Sequence, residues 1–240
     1  MTSVVISQSM YFPWIGMLEQ VRLADVFVHY DEVQFDRGFY NRVQVKTAQG
    51  PRWITVPLSN HQRGQKIAEI AVDDSKHWKR SHRDVLAQAY RGAPFLKDML
   101  AVADAVFSEP HRTLGEVSRA SLLALVDYFE LRGGKRFHDS VEFPAPGSAS
   151  ERLLRITRAV GGDNYITGHG ARNYLDHELF ERTGVKVSYM DYRRTSYAQL
   201  HGEFTPYVTA LDVIANCGKQ GAALITSPAI DWRAFVARPA

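Results

Sequence analysis

Among the nine histidines of this chain, His82 has the surroundings of a tuned acid–base group. Leu86 and Tyr90 follow it at four-residue steps and Trp78 stands one turn before it, so all four share a helical face. A histidine on such a face is either a packed core residue or a buried ring held neutral, fit to take a proton as general base. Asp31 and Asn41 complete the catalytic candidates, as a carboxylate and an amide that could orient a reacting group. Arg42, in a strand beside Asn41, is either solvated and paired or a contact for a carboxylate or phosphate. Cys217 is the only thiol. It falls at the end of an expected helix, where the dipole opposes the thiolate a nucleophile needs. His77 and His82 are five apart, which misses the four-residue step that puts two metal ligands on one helical face. Asp31, Asp191 and Asp212 show no diagnostic pairing, and no metal site is expected. Gly168-His169-Gly170 is a permissive turn that could show amides to a phosphate. It lacks the third glycine of the dinucleotide pattern and the lysine of the P-loop, and tight-turn geometry explains it equally well.

The elements that must hold these groups begin with a β-branched run, Ser3 to Ser7, read as a buried strand. The loop Gln8-Ser9-Met10-Tyr11-Phe12-Pro13-Trp14-Ile15-Gly16 follows, then a helix from Met17 to Ala24. Tyr11, Phe12 and Trp14 fit either a plug closing the sheet end or the wall of a pocket with Gln8 as its polar contact. Asp25 to Tyr30 is a second strand, completing a βαβ unit with parallel strands. That topology gathers Gln8, Asp31 and Gln34 at one sheet edge, where α/β folds bind ligands. Gln34–Lys46 and Arg52–Leu58 alternate around Gln49-Gly50 and read as a β-hairpin carrying Trp53. His61 to Lys66 is a polar loop and Ile67 to Val72 a short strand. Helices are expected from Asp74 or Ser75 to Tyr90, over Phe95–Phe107, and from Ser108 or Thr113 to about Leu131. Pro144 to Ser150 has linker composition. Beyond it, a helix over Ser150–Val160, strands at Asn164–Thr167 and Val185–Tyr189, and helices over Tyr174–Arg182 and Tyr207–Ala215 continue the α/β alternation. Beyond Thr226 the chain is expected to lie along the surface. The fold class is therefore α/β: a partly parallel sheet with flanking helices, a hairpin insertion and a helical middle segment at about 74–132, all in one domain over 1–240.

Length and composition bound the function. The chain has 240 residues, 45% of them hydrophobic, enough for a substantial core. The formal net charge of +3 is spread out, so no nucleic-acid surface is expected; anionic small molecules or an acidic carrier protein are mildly favoured. One cysteine leaves no internal disulfide. Neither a secretion signal nor a stretch long enough to span a bilayer is read, and the expected location is cytoplasmic, with no membrane insertion.

The chain resembles the WbqC-like family. The resemblance rests on Gln8-x-x-Tyr11-Phe12-Pro13-Trp14-x-Gly16, Ala24-Asp25-x-Phe27-Val28, Asp31-x-Val33-Gln34-Phe35, Asn41-Arg42, Trp53-x-Thr55-Val56-Pro57, and Tyr90 with Ala93-Pro94. It continues through Tyr165-Ile166-Thr167-Gly168, Tyr174-Leu175-Asp176, Tyr197-x-Gln199, Gly202-x-Phe204, and Asp212 with Asn216-x-Gly218. It implies a place in bacterial O-antigen, lipopolysaccharide or related surface-glycan pathways. In that context the expected activity is an N-acyltransferase. It would move an acyl group from a carrier-protein or coenzyme A thioester to the amine of a nucleotide-linked amino sugar. The thioester would be a co-substrate, and no bound cofactor or metal is called for. His82 would be the base, with Asp31 and Asn41. The substrate-binding residues would be Gln8, Tyr11, Phe12, Trp14, Gln34, Arg42, Trp53, Tyr197 and Gln199. The alternatives are a nucleotide-binding transferase of nucleotidyltransferase-like fold and a non-catalytic binding protein of glycan assembly. Nucleotidyltransferase-like folds carry His-x-Gly-His in the first loop, where this chain has Trp14-Ile15-Gly16-Met17.

Overall fold

The computed structural model describes residues 1–36, 38–144, 146, 147 and 149–238. The opening βαβ unit forms as expected. Strand β1 (Ser3–Ser7) and strand β2 (Val26–His29) are parallel neighbours, Val4 opposite Val26 and Ser7 opposite His29. Helix α1 (Ile15–Leu23) crosses between them. The hairpin is β3 (Arg42–Thr47) and β4 (Gly50–Thr55), a separate two-stranded sheet. Gly50 takes φ of 102° at the turn, a conformation open to glycine.

Three helices make the middle segment: α2 (Trp78–Ala89), α3 (Leu96–Phe107) and α4 (Leu114–Tyr128). Thr113 and Glu116 close a capping box at the start of α4, a device worth about 1 kcal/mol. Helix α2 starts later than its polar prelude suggests, because Asp74–Lys76 winds as a 3₁₀ turn and His77 sits at φ 46°. Ile67–Val72 is not a strand: Ile67–Glu69 is a 3₁₀ turn, and Ala71 and Val72 make only isolated bridges.

Strand β5 (Arg136–Asp139) follows, then α5 (Ala149–Ala159), β6 (Asn164–Thr167), α6 (His177–Arg182), β7 (Lys186–Met190) and α7 (Ala210–Cys217). Of the linker-like run from Pro144 to Ser150, Ala145 and Ser148 lie outside the described residues. The chain beyond Thr226 does not merely trail over the surface. It adds β8 (Ala229–Asp231), antiparallel to β7, and α8 (Trp232–Val236), which buries Phe235.

The main sheet runs β5-β2-β1-β6-β7-β8, parallel but for β8. From β1 the chain builds outward to β2 and β5, then returns to the other side of β1 for β6 and β7. Strand order therefore reverses between β1 and β6. Successive strand residues face opposite sides, and each side has its own core. Val5, Phe27 and Ile166 meet α1, α4, α7 and the hairpin. Val4, Ile6, Val28 and Tyr165 meet α5, α6 and α8. Among the described residues, no helix is long and apolar enough to cross a membrane.

Candidate functional site

In an open parallel sheet the loops leaving two adjacent strands diverge where strand order reverses, and a crevice opens outside their carboxyl ends. Here that crevice is a cavity of about 580 Å³. Ser7 and Gln8 leaving β1, Tyr30 leaving β2, and Thr167 and Gly168 leaving β6 line it, with Gln20 of α1 and Leu153 of α5 on its sides. Four tyrosines face it: Tyr30, Tyr40, Tyr165 and Tyr174. Burial pushes the phenols of Tyr30, Tyr40 and Tyr165 above their usual range, so each stays a protonated donor at neutral pH, while Tyr174 stands more open at the rim. For Tyr30 the Arg152 guanidinium, 5.0 Å over its ring, works against that shift. Hydroxyls and the amides of Gln8 and Gln20 give the lobe hydrogen-bonding capacity without fixed charge, which suits a polyhydroxy ligand.

A second lobe, about 300 Å³, adjoins the first through Gln20, Gly168 and Gly170, which line both. A Cβ at Gly168 would sit 3.2 Å from Gln20 Nε2, a contact that the end of that side chain could relieve by a small shift. Trp14, Tyr192, Tyr207, Arg194 and His169 line this lobe. The Trp14 ring lies over the backbone of Gly16, where a Cβ would come within 2.2 Å of it. Trp14-x-Gly16 is thus one unit, the glycine making room for the indole. The segment carrying Tyr207 is tied to the first loop: Thr209 Oγ1 donates to the Phe12 carbonyl (2.8 Å), and Ala210 N to that of Pro13 (2.8 Å). His169 Nε2 donates to the Met190 carbonyl (2.9 Å), which sets the tautomer and leaves Nδ1 as the acceptor nitrogen.

Behind the first lobe lies a charged floor. Asp31, 1% exposed, accepts from Ser9 N (2.7 Å), Ser9 Oγ (2.8 Å) and Arg119 (3.1 Å). Arg119 also pairs with Asp139 at the end of β5 (2.7 Å). Ser9 Oγ meets His29 Nδ1 at 2.9 Å. Burial, then the Arg119 charge, drives His29 down to about 3, so its ring is neutral. Asp31 therefore grips the loop that presents Gln8 and Met10 and does not itself line the cleft.

The other sequence candidates divide by place. Gln8 lines the first lobe and Trp14 the second. The cleft does not gather the remainder. Tyr11 and Phe12 are fully buried core, and the Tyr11 hydroxyl meets His82 Nδ1 at 2.9 Å. His82 also donates to the Thr55 carbonyl, and burial lowers it to about 4. Its one lone pair is engaged by Tyr11, and it lines neither lobe. Asn41 donates to the Val56 carbonyl (3.2 Å) at the open end of the hairpin. Arg42 stacks on Trp53 at 4.6 Å, on the hairpin's outer surface, and Gln34 is exposed, bridged to Lys66. Tyr197 and Gln199 both donate to Asp212 Oδ1 (2.7 and 3.0 Å), a buried carboxylate in the first turn of α7, while Lys46 reaches Gln199 Oε1 (3.1 Å). That network clamps the 197–205 segment onto β3. Cys217 does sit at a helix end, and burial and Asp212 raise its thiol above the usual range. Among the described residues, no group of histidine, cysteine and acidic side chains could hold a metal.

Tyr30, Tyr40, Thr167, Tyr174, Tyr192, Arg194 and Tyr207 escaped sequence reasoning as site residues. For Tyr30 and Thr167 a signal existed, since they end or follow parallel strands. For Tyr192 and Arg194 there was none, because no periodic pattern surrounds them; Tyr207 was expected to open a helix, which starts instead at Ala210 and leaves it in the preceding turn.

A sequence model of the WbqC-like protein family matches residues 8–223. The chain belongs to that family. A curated relative, "uncharacterized protein Rv1507c" of Mycobacterium tuberculosis, is 32% identical over 224 residues, covering 92% of this chain and 96% of that protein. No solved structure matches. In this WbqC-like chain the positions quoted for the resemblance have physical tasks. Trp14 and Gly16 shape the second lobe, Asp31 holds the first loop, and Tyr197, Gln199, Asp212 and Asn216 form one buried network.

Proposed function

We propose that this WbqC-like protein is an N-acyltransferase that joins a thioester-borne acyl group to the amine of a nucleotide-linked amino sugar, and that the two-lobed cleft is where donor and acceptor meet. The observation that carries the reading is the pair of connected lobes at the reversal of strand order. One is rich in neutral donors, the other in aromatic rings, and His169 lines the second between Gly168 and Gly170, which line both. The family's association with surface-glycan pathways supplies the substrate class. The amine nitrogen attacks the thioester carbonyl, a C–N bond forms, and the C–S bond breaks to release thiolate. His169 Nδ1 takes the proton the nitrogen loses and returns it to the departing sulfur. Neutral tyrosine hydroxyls or the Gln8 and Gln20 amides donate to the oxyanion. His82, the base expected from its helical face, is replaced in this role because its lone pair is engaged by Tyr11.

The test is a mass-spectrometric screen of acyl-carrier and coenzyme A thioesters against amino-sugar nucleotides. An amide product is expected, with His169→Gln lowering kcat by about a hundred- to ten-thousand-fold. Saturable binding of a nucleotide sugar with no product from any donor would make the protein a binder of glycan precursors and end the transferase reading.

A further inference from the structure

The second lobe has features that a general substrate cleft does not need. Three rings converge in it. The Trp14 and Tyr192 centroids are 4.8 Å apart at 88°, and those of Trp14 and Tyr207 are 5.1 Å apart at 68°. The Arg194 guanidinium lies 5.4 Å from the Tyr207 ring centre. Among the described residues, no carboxylate pairs with it; the cation is held by a π face and left open to a ligand. Tyr207 itself sits at φ 65°, in the left-handed region that a bulky side chain rarely adopts. Backbone strain of this kind survives where its surroundings impose it, and such sites cluster at ligand clamps. The surroundings here are the Thr209 and Ala210 hydrogen bonds to the first loop, two and three residues beyond Tyr207, whose ring meets Trp14. Burial pushes the Tyr192 phenol up to about 12, so that ring stays neutral beside the Arg194 cation.

Rings without charge would suit a sugar face or an aliphatic chain. Rings around a carboxylate would suit an organic cation. Rings beside an unpaired guanidinium suit a planar aromatic group carrying an anion, and about 300 Å³ has room for a base with its ribose. We propose that the Trp14–Tyr192–Tyr207 lobe is a stacking slot for the base of a nucleoside diphosphate, with Arg194 on its phosphates. This deepens the acyl-transfer reading and rests on it for the identity of the whole substrate. Two sources carry that chemistry, a nucleotide sugar and the adenosine diphosphate end of coenzyme A. In either case the rest of the molecule passes Gln20 and Gly168 into the tyrosine lobe.

Titration calorimetry of the full chain with uridine diphosphate, thymidine diphosphate, coenzyme A, uridine and inorganic pyrophosphate tests this. At least one nucleotide should bind well ahead of pyrophosphate. Binding of uridine or thymidine diphosphate alone assigns the slot to the sugar nucleotide, and of coenzyme A alone to the donor. Tyr192→Ala should weaken the nucleotide about five- to one-hundred-fold, the range for loss of one stacking ring. Tyr207→Gly, which removes the ring and relieves the backbone, should weaken it as much with no fall in melting temperature. Arg194→Gln should weaken the diphosphate and spare uridine. Phe39→Ala, an exposed ring in the turn before β3 that lines neither lobe, should change nothing. The slot is overturned if no nucleotide outbinds pyrophosphate, or if folded Tyr207→Gly binds as the parent does. The two readings fail separately. Nucleotide binding lost in Tyr207→Gly, with no amide product from any donor, keeps the slot and removes the transferase. Turnover untouched by Tyr207→Gly removes the slot and keeps the transferase.

Discussion

At the scale of single residues, His82 shows how a helical face can be read correctly and its meaning still lie elsewhere in the chain. Spacing places it with Trp78, Leu86 and Tyr90, and the structure buries all four. The deciding partner, Tyr11, is 71 positions away and no local pattern points to it. Replacing His82 with Gln removes a ring that satisfies a buried hydroxyl and a buried carbonyl. The expected cost is about 1–3 kcal/mol in chemical denaturation, the penalty for leaving such a group unpaired, with turnover or nucleotide binding of the folded fraction unchanged. A hundred-fold fall in kcat at parental stability would return His82 to the catalytic list. Cys217 invites the opposite test. Its thiol is raised by burial and by Asp212, so it should react with iodoacetamide at pH 7 more slowly than a free cysteine, and Cys217→Ser should keep its activity. Rapid labelling that abolishes activity would contradict this.

At the scale of elements, what could be read from the sequence tracks how much each segment buries. β1, β2 and β6 are largely buried, central and expected where they lie. β5 escaped because Arg136-Phe137-His138-Asp139 is four mostly polar residues on the sheet's edge, paired with β2 alone. β8 escaped because its three residues carry no period at all. Ile67–Val72 is apolar and β-branched enough to read as a short strand, yet without a continuous partner it settles into a turn and isolated bridges. The first loop was legible as aromatic and costly to expose, but its division of labour was not. Tyr11 and Phe12 go to the core, and only Trp14 turns outward over Gly16. The glycine therefore gives a test at this scale. In Gly16→Ala the new methyl group would overlap the indole, so Trp14 has to leave its position. The variant should fold, shift its tryptophan emission, and lose nucleotide affinity about as much as Tyr192→Ala does. Retained affinity would mean that the indole does not shape the second lobe.

At the scale of the whole molecule, the doubly wound order was only half visible: the opening βαβ unit was plain, but nothing local says that β6 returns beside β1. The consequence is a molecule with histidines sealed inside both its βαβ edge and its hairpin interface, and this sets its response to acid. His29 titrates at about 3 and His82 at about 4, each lowered chiefly by burial, against about 6.5 when unfolded. The groups facing them are Ser9, Asp31, Arg119 and Asp139 for His29, and Tyr11 and the Thr55 carbonyl for His82. Below about pH 6.5 the unfolded chain binds protons that the native chain refuses, so stability falls with pH. Each histidine contributes a slope approaching 1.4 kcal/mol per pH unit, and the two together about 3. His177, also lowered, acts in the same direction. The buried carboxyls of Asp31 and Asp212 are raised, so they act in the opposite sense as the pH nears the carboxylate range. The histidine effect is therefore cleanest between about pH 6.5 and 5. Urea denaturation across that window should show stability falling by about 3–4 kcal/mol, a large part of what a domain of this kind has to lose. In His82→Gln the same plot should start lower and run flatter, by about 1.4 kcal/mol per unit. A stability that stays level from pH 7 to 5 would mean that these two rings are open to water in solution, and the buried Ser9–His29–Asp31 floor under the cleft would have to be abandoned with them.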